Sequence, residues 1–422
     1  MATTDARPGR QESGDVMLGS PSVRREVHPT MAERLSGHDN AIGFLRLLFA
    51  GMVVVSHAFP VGGFGADPLG PVTNGQVEIG QFGLFGFFAL SGYLIARSAA
   101  VYDTLSFLWR RVLRLYPAFL VVLVVGAVVV GPLALLRTPD GLSGYWQGPE
   151  GPVGYVVDNS RLAIRRFGIQ DVFAQDPYGE ANGSVINGSL WTLWYEFQAY
   201  LAVGLIAALG LLRRAPWVVP LAALGTFAAI PLYTEEPALR PVVNRLILDQ
   251  RGLALLGVFL VGAAIAAYSH RVRCRPLLAV VAGATVLVTA STALFVPLGL
   301  VAFAYLVLYA GATLPGRVRR VGRDTDISYG VYVYSWPVQA LLTTYGLNGA
   351  GYLPYLLLTL AVVAVLGYAS WQLVEKRALR LKSVGPGRGW AGVPVIGRHL
   401  AERPLLAGAA GVVLLVATVA VV

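Results

Sequence analysis

Apolar runs of about 20 residues recur along this chain, and that is the length an α-helix needs to cross the hydrocarbon of a bilayer. This repetition restricts the fold more than any other feature. In hydrocarbon every backbone N–H and C=O has to bond within the protein, so only helices and closed barrels span. Barrel strands alternate over short segments, whereas Val121 to Val130 is one continuous apolar run. Composition agrees. The chain is 55% hydrophobic and 13% charged, where soluble domains carry about a quarter charged residues. A soluble protein this apolar would expose large patches and aggregate. The fold class expected is all-α, a polytopic transmembrane helix bundle of ten or eleven spans.

The runs place spans at 42–60, 81–99, 115–136, 190–212, 216–233, 252–268, 276–294, 297–314, 327–345, 353–374 and 404–422. If the N-terminus is cytoplasmic, the inner segments hold 25 of the 33 Lys and Arg residues and the outer loops hold 7. That asymmetry predicts an N-in topology. The net charge of +10 therefore follows the membrane rather than a nucleic acid, because the charges lie in short loops. Residues 1–40 are polar and lack the apolar stretch of a signal peptide. They read as a disordered cytoplasmic tail, with Met31 as an alternative start. Residues 378–403 read as a cytoplasmic basic linker before the last span. The single cysteine, Cys274, excludes an intramolecular disulfide and a cysteine zinc site. No metal site is expected. The long loop 137–189, with Tyr145, Trp146, Asp158, Asp171 and Asp176, is either functional or a connector.

The first span carries Arg46 and His57. Eleven residues are nearly three whole turns, so both lie on one helix face, about 16 Å apart along the axis. Ionisable groups inside a span are costly and are functional candidates. Snorkelling of Arg46 to the headgroups and a hydrogen-bonded helix-end role for His57 are the bland alternatives. A second feature is Ser189-Leu190-Trp191-Thr192-Leu193-Trp194-Tyr195-Glu196. By the topology Glu196 enters from the outside to a depth comparable with His57, where a carboxylate would fix the tautomer of the imidazole and stabilise its charged form. A structural ion pair elsewhere is the alternative. The third feature is Trp109-Arg110-Arg111-Val112-Leu113-Arg114, at the inner face. Arg111 and Arg114 share a helix face, and the arginine fork suits phosphate. Ordinary positive-inside topology explains the same residues. Ser91, Asn187 and Ser189 either line an acceptor path or serve helix packing. Tyr329 and Trp336 read as packing residues, and His28, His38, His270 and His399 lie in loops or tails.

In combination these segments resemble the integral-membrane acyltransferase family 3, the O-acyltransferases of surface glycans and secondary metabolites. The resemblance rests on Arg46-x10-His57, Phe87-Phe88-Ala89-Leu90-Ser91-Gly92-Tyr93-Leu94-Ile95, Arg111-x-x-Arg114 with Tyr116-Pro117, Ser189 to Glu196, and Ile327-Ser328-Tyr329 through Trp336-Pro337 with Glu375. These occur in family order over residues 41–377. Two positions depart from the pattern. Tyr334-Ser335 precedes Trp336-Pro337 where relatives often have a histidine, and Lys376 follows Glu375 where proline is frequent. The resemblance implies a ten-helix core with 404–422 as an extra span, and an O-acyl transfer, acetyl above all, in a bacterial cytoplasmic membrane. It implies acetyl-CoA or another acyl-CoA as donor substrate, no permanently bound cofactor, and a hydroxyl of a glycan, glycolipid or glycosylated metabolite as acceptor. Arg110, Arg111 and Arg114 would then hold the donor phosphates, with Arg46, His57 and Glu196 as the catalytic set and His57 as base or nucleophile. A proton-coupled transporter or flippase of an envelope-polymer system is the rival reading, since carriers also bury Arg, His and Glu; no internal repeat of the transporter kind is visible. A non-catalytic assembly partner is a further one.

Overall fold

The computed structural model describes residues 28–241 and 249–384. The expected span 404–422, most of the tail and most of the basic linker lie outside the described residues. Within them the chain is all-α. The principal helices are α1 (Ile42–Gly62), α2 (Ile79–Val101), α3 (Thr104–Val125, continued by a π turn over Gly126–Val130 and by Gly131–Leu135), α4 (Trp191–Ala208) and α5 (Val218–Glu235). They continue with α6 (Gln250–Ala267), α7 (Pro276–Thr289), α8 (Gly299–Thr313), α9 (Ser328–Thr344) and α10 (Tyr352–Ser370, continued by a π turn over Trp371–Glu375 and by Lys376–Arg380). Six of them, α1, α2, α3, α5, α6 and α10, are long and apolar enough to cross a membrane. The protein is a multi-pass membrane protein. α7 and α8 are apolar but shorter. α9 is poorer in aliphatic residues because almost its whole surface is buried against other helices, so it needs no lipid-compatible face.

Small residues let the central helices approach closely, as expected where lipid removes the hydrophobic drive between helices. A Cβ at Gly92 of α2 would sit 1.9 Å from the Phe259 carbonyl oxygen of α6, and one at Gly262 of α6 would sit 2.2 Å from that of Ala89. On the other side of α2, a Cβ at Gly83 would lie 2.7 Å from the Phe49 carbonyl of α1. α9 is tied to α1 by polar side chains. Gln339 Nε2 donates to the Val54 carbonyl at 2.8 Å, and Thr343 Oγ1 to that of Val61 at 3.1 Å. The Val61 carbonyl is among the last of α1, where no further turn supplies a helical donor.

Three local features depart from the sequence reading. The helix carrying the arginines starts at Thr104, capped by Asp103, which accepts from the Ser106 N–H at 2.9 Å. The helix thus begins eleven residues before the expected span at 115, and Arg110, Arg111 and Arg114 lie within it, on helix as the Arg111-x-x-Arg114 spacing implied. Residues 30–35, assigned to the disordered tail, form a turn with a capping box between Thr30 and Glu33. Met31 is fully buried there against the Cys274 thiol, and its N–H donates to the Val272 carbonyl at 2.8 Å. An apolar side chain with a matching hole orders what a polar composition suggested was loose. Third, the 137–189 segment does not stay beyond the end of α3. The Tyr145 hydroxyl donates to the Ala127 carbonyl at 2.6 Å, a group that the π turn exposes, and the Tyr116 hydroxyl donates to the Ser160 carbonyl at 2.6 Å. The segment folds back along α3. Asn159 satisfies its backbone there, accepting from the Arg165 and Arg166 N–H groups and donating to the Arg166 carbonyl. Irregular backbone is tolerated at such depth only when protein partners replace water.

Candidate active site

A cavity of about 270 Å³ opens among α2, α3, α4, α9 and the end of α10. Arg46, Arg110, Arg111, Arg114 and Glu196 all line it, so the structure gathers five of the six residues singled out from sequence. Its wall is apolar, with Leu84, Phe87, Leu94 and Leu193, and Lys382 joins the cationic side.

The cations divide into two groups. Arg46 Nη1 donates to Asp326 Oδ2 at 2.5 Å, and Arg114 Nη2 donates to the same oxygen at 2.7 Å. Arg114 Nη1 also reaches Glu375 Oε2 at 3.2 Å. Asp326 stands just ahead of α9, where the helix dipole favours a negative charge, and its other oxygen accepts from Ser328 Oγ at 2.5 Å. Glu375, 2% exposed, also accepts from Ser370 Oγ at 3.2 Å. It lies on the π turn of α10, whose extra residue alters the helical phase at this point. Two acids thus neutralise two arginines. Neither Asp326 nor Glu375 had a charge partner in the sequence reading, and the available signal was the general one that an arginine in a span needs a carboxylate. Arg110, Arg111 and Lys382 make no ion pair with an acid among the described residues. Arg110 lies over the Tyr102 ring, 3.9 Å from its centroid, and Arg111 between the Phe107 and Tyr200 rings, 5.9 Å from each. The Nε atoms of both arginines are buried without a hydrogen-bond partner. Cations held on aromatic faces with donors unspent suit an anionic ligand.

Glu196 does not meet His57. One carboxylate oxygen accepts from the Tyr200 hydroxyl and from Ser91 Oγ, the latter at 3.2 Å. The expected depth fails for a local reason. The chain before α4 has already entered the bundle, where Asn187 Nδ2 donates to the Val333 carbonyl at 2.8 Å and Gly188 lies under the Trp336 ring. α4 therefore begins deep, and five residues later Glu196 is at the arginine level. Ser91 and Asn187 are correspondingly spent on internal contacts, Ser91 on Glu196 and Asn187 on α9, whereas Ser189 gives its carbonyl to the Tyr332 hydroxyl at 2.7 Å, and its Oγ is buried without a hydrogen-bond partner.

His57 lies outside the cavity wall, farther along the helix that carries Arg46. Its ring meets Trp336 edge-to-face at 4.9 Å, and Trp336 in turn meets Tyr178 at 4.8 Å. Nδ1 is buried without a hydrogen-bond partner, although the ring as a whole is only half-buried. The carboxylate bonded to the neighbouring Ser56 is Asp67. It accepts from Ser56 Oγ at 2.5 Å, from the Leu69 N–H at 2.8 Å and from the Ile79 N–H at 3.0 Å. Sequence reading missed Asp67 because it belongs to the short α1–α2 connection, where acids are ordinary. Phe87 and Tyr332 line the cavity and their rings meet at 6.0 Å; the Tyr332 and Thr192 hydroxyls are 2.5 Å apart.

An all-helical membrane bundle enclosing a cationic cavity, with a histidine beyond it on the first helix, has the layout of a membrane-embedded group-transfer enzyme. Residues 39–371 match the model of acyltransferase family 3, an acyltransferase domain. The chain belongs to this family and is an acyltransferase, which implies an acyl donor and a hydroxyl acceptor. It is similar to an O-acetyl transferase of Shigella phage Sf6, 28% identical over 356 residues that cover 82% of this chain and 97% of the relative. It is also similar to nodulation protein 10 of Rhizobium leguminosarum bv. viciae, 28% identical over 370 residues that cover 83% and 96%. No solved structure matches the chain significantly.

Proposed function

We propose that the protein is an O-acetyltransferase that takes an acetyl group from cytosolic acetyl-CoA and passes it to a hydroxyl of a glycan, glycolipid or glycosylated metabolite. The N-terminus is cytoplasmic in this reading, and the membrane is a bacterial cytoplasmic membrane. The observation that carries it is the cavity that holds Arg46, Arg110 and Arg111 on one side and apolar side chains on the other, beside the helix that bears His57. The unpaired Arg110 and Arg111 hold donor phosphates. The paired Arg46 and Arg114 build the wall beside them. The pantetheine arm follows α1 past Arg46 and alongside Phe87 and Tyr332, covering the roughly 16 Å of helix rise to His57.

At His57 the free imidazole nitrogen accepts the proton of the acceptor hydroxyl. The hydroxyl oxygen attacks the thioester carbonyl, the C–S bond breaks, and the thiolate leaves and takes up a proton. Asp67 supports the charge that develops on the ring, and Trp336 fixes the ring plane. Glu196, bonded to Tyr200 and Ser91, belongs to the donor cavity. The relative from phage Sf6, named for O-acetyl transfer, supports acetyl as the transferred group.

Purified protein in nanodiscs, given acetyl-CoA labelled in the acetyl group together with a membrane extract of the host, should label one acceptor species with a mass gain of one acetyl. General base catalysis contributes about 10²–10⁴-fold, so His57→Ala should lose transfer by about that factor while retaining its unfolding midpoint. Undiminished transfer by a folded His57→Ala protein would sink the assignment of the base.

A further inference from the structure

Lys382 is the cation of the donor cavity that neither the motifs nor the family resemblance singles out. It stands on a short turn, Leu381–Ser383, just past α10. That turn is fixed to α3, because Trp109 Nε1 donates to the Leu381 carbonyl at 3.1 Å. Trp109 directly precedes Arg110 and Arg111, so one indole joins the turn to the two unpaired arginines. Lys382 lines the same cavity as they do, is itself exposed, and has no acid partner among the described residues. The cavity thus presents three cations that make no ion pair among the described residues, at graded depth: Arg111 and Arg110 with buried Nε atoms, then Lys382 at the rim.

An acyl-CoA carries its negative charge in a similarly graded way. The diphosphate joins the pantetheine arm to the nucleoside, and the 3′-phosphate is on the ribose, beyond the diphosphate from the thioester. With the arm running inward past Arg46, the diphosphate meets the deeper arginines and the ribose phosphate meets the rim. We infer that Lys382 binds the 3′-phosphate of the donor, and that it gives this enzyme its preference for coenzyme A over dephospho-coenzyme A. The inference rests on the acyl-CoA reading above. A compact ammonium on a flexible stem suits a terminal phosphate that offers several oxygens.

The test is a binding cycle on the purified full-length protein in nanodiscs, with acetyl-CoA and acetyl-dephospho-CoA as ligands and wild type, Lys382→Ala and Lys382→Arg as proteins. Wild type should bind acetyl-CoA about fivefold more tightly than the dephospho form, the scale of one solvent-exposed ion pair. Lys382→Ala should lose that preference by weakening acetyl-CoA alone, and Lys382→Arg should restore it. Adenosine 3′,5′-bisphosphate should compete with acetyl-CoA on wild type and about fivefold less well on Lys382→Ala. If both ligands bind but Lys382→Ala weakens them equally or not at all, the 3′-phosphate assignment is overturned and the donor reading stands. If wild type binds neither ligand, the donor reading falls and takes this one with it.

Discussion

Arg46 and Arg114, from different helices, donate to a single oxygen of Asp326, at 2.5 and 2.7 Å. One carboxylate thus holds two guanidinium groups that would otherwise repel at short range. Glu375 supplies the second negative charge, at 3.2 Å from Arg114. This cluster pins α1, α3 and the start of α9 to one another beside the cationic cavity.

Asp326→Asn should therefore destabilise the fold rather than only slow the reaction. Removing one partner of a largely buried ion pair costs about 3–5 kcal/mol, and the partial exposure of Arg46, 24%, places the expected loss toward the lower end. Thermal unfolding in detergent measures it. A midpoint equal to wild type would show that the two arginines do not depend on Asp326.

The paired and unpaired arginines should separate in mutagenesis. Arg111→Ala and Arg110→Ala should keep the unfolding midpoint and weaken acetyl-CoA binding about tenfold each, the scale of a lost charge-assisted hydrogen bond. Arg114→Ala should instead lower the midpoint, because Glu375 is left buried without its cation. Calorimetric titration beside a thermal melt distinguishes the two classes, and identical behaviour of all three variants would contradict the division.

Gly262→Ala is expected to damage the α2–α6 contact, because the new methyl would fall 2.2 Å from the Ala89 carbonyl oxygen. Overpacking of this kind costs about 1–3 kcal/mol. Gly225→Ala in α5, which has open space at its Cβ position, is the control and should be neutral or slightly stabilising, since alanine is the better helix former. Yield of monodisperse protein and unfolding midpoint are the readouts.

Asp176 offers a pH test on the segment between α3 and α4. Burial raises its carboxyl above the ordinary 3.8, while the bond from Thr344 Oγ1, 2.6 Å, works in the opposite direction. A raised folded-state value means that the folded protein holds the proton more tightly than the unfolded chain. This group's contribution is favourable at low pH and is lost as pH rises from about 3.8 through the folded value. Asp176→Asn should remove that part of the pH dependence and leave the protein equally or more stable at pH 7. A steeper fall with pH in the variant would refute the sign.

Much of this protein is legible in its sequence because the bilayer imposes a coarse rule. A spanning segment must be helical, apolar and about 20 residues long, so the helix order and the all-α class follow from composition alone. The helical period alone places Arg46 and His57 on one face. The motif at Arg111-x-x-Arg114 likewise marks a wall of the cavity. What the period cannot convey is which helix faces which, or how deep a helix begins. Glu196 was assigned to His57 on the assumption that α4 starts at the membrane surface; Asn187 bonded to Val333 shows the chain already inside. Asp326, Glu375, Asp67 and Lys382 are single charged residues in connections or near the ends of spans, which local sequence does not distinguish from ordinary topology signals. Coulomb attraction and desolvation act between residues hundreds of positions apart, so only the packed bundle decides that Asp326 neutralises Arg46 and Arg114 while Arg110 and Arg111 make no ion pair among the described residues.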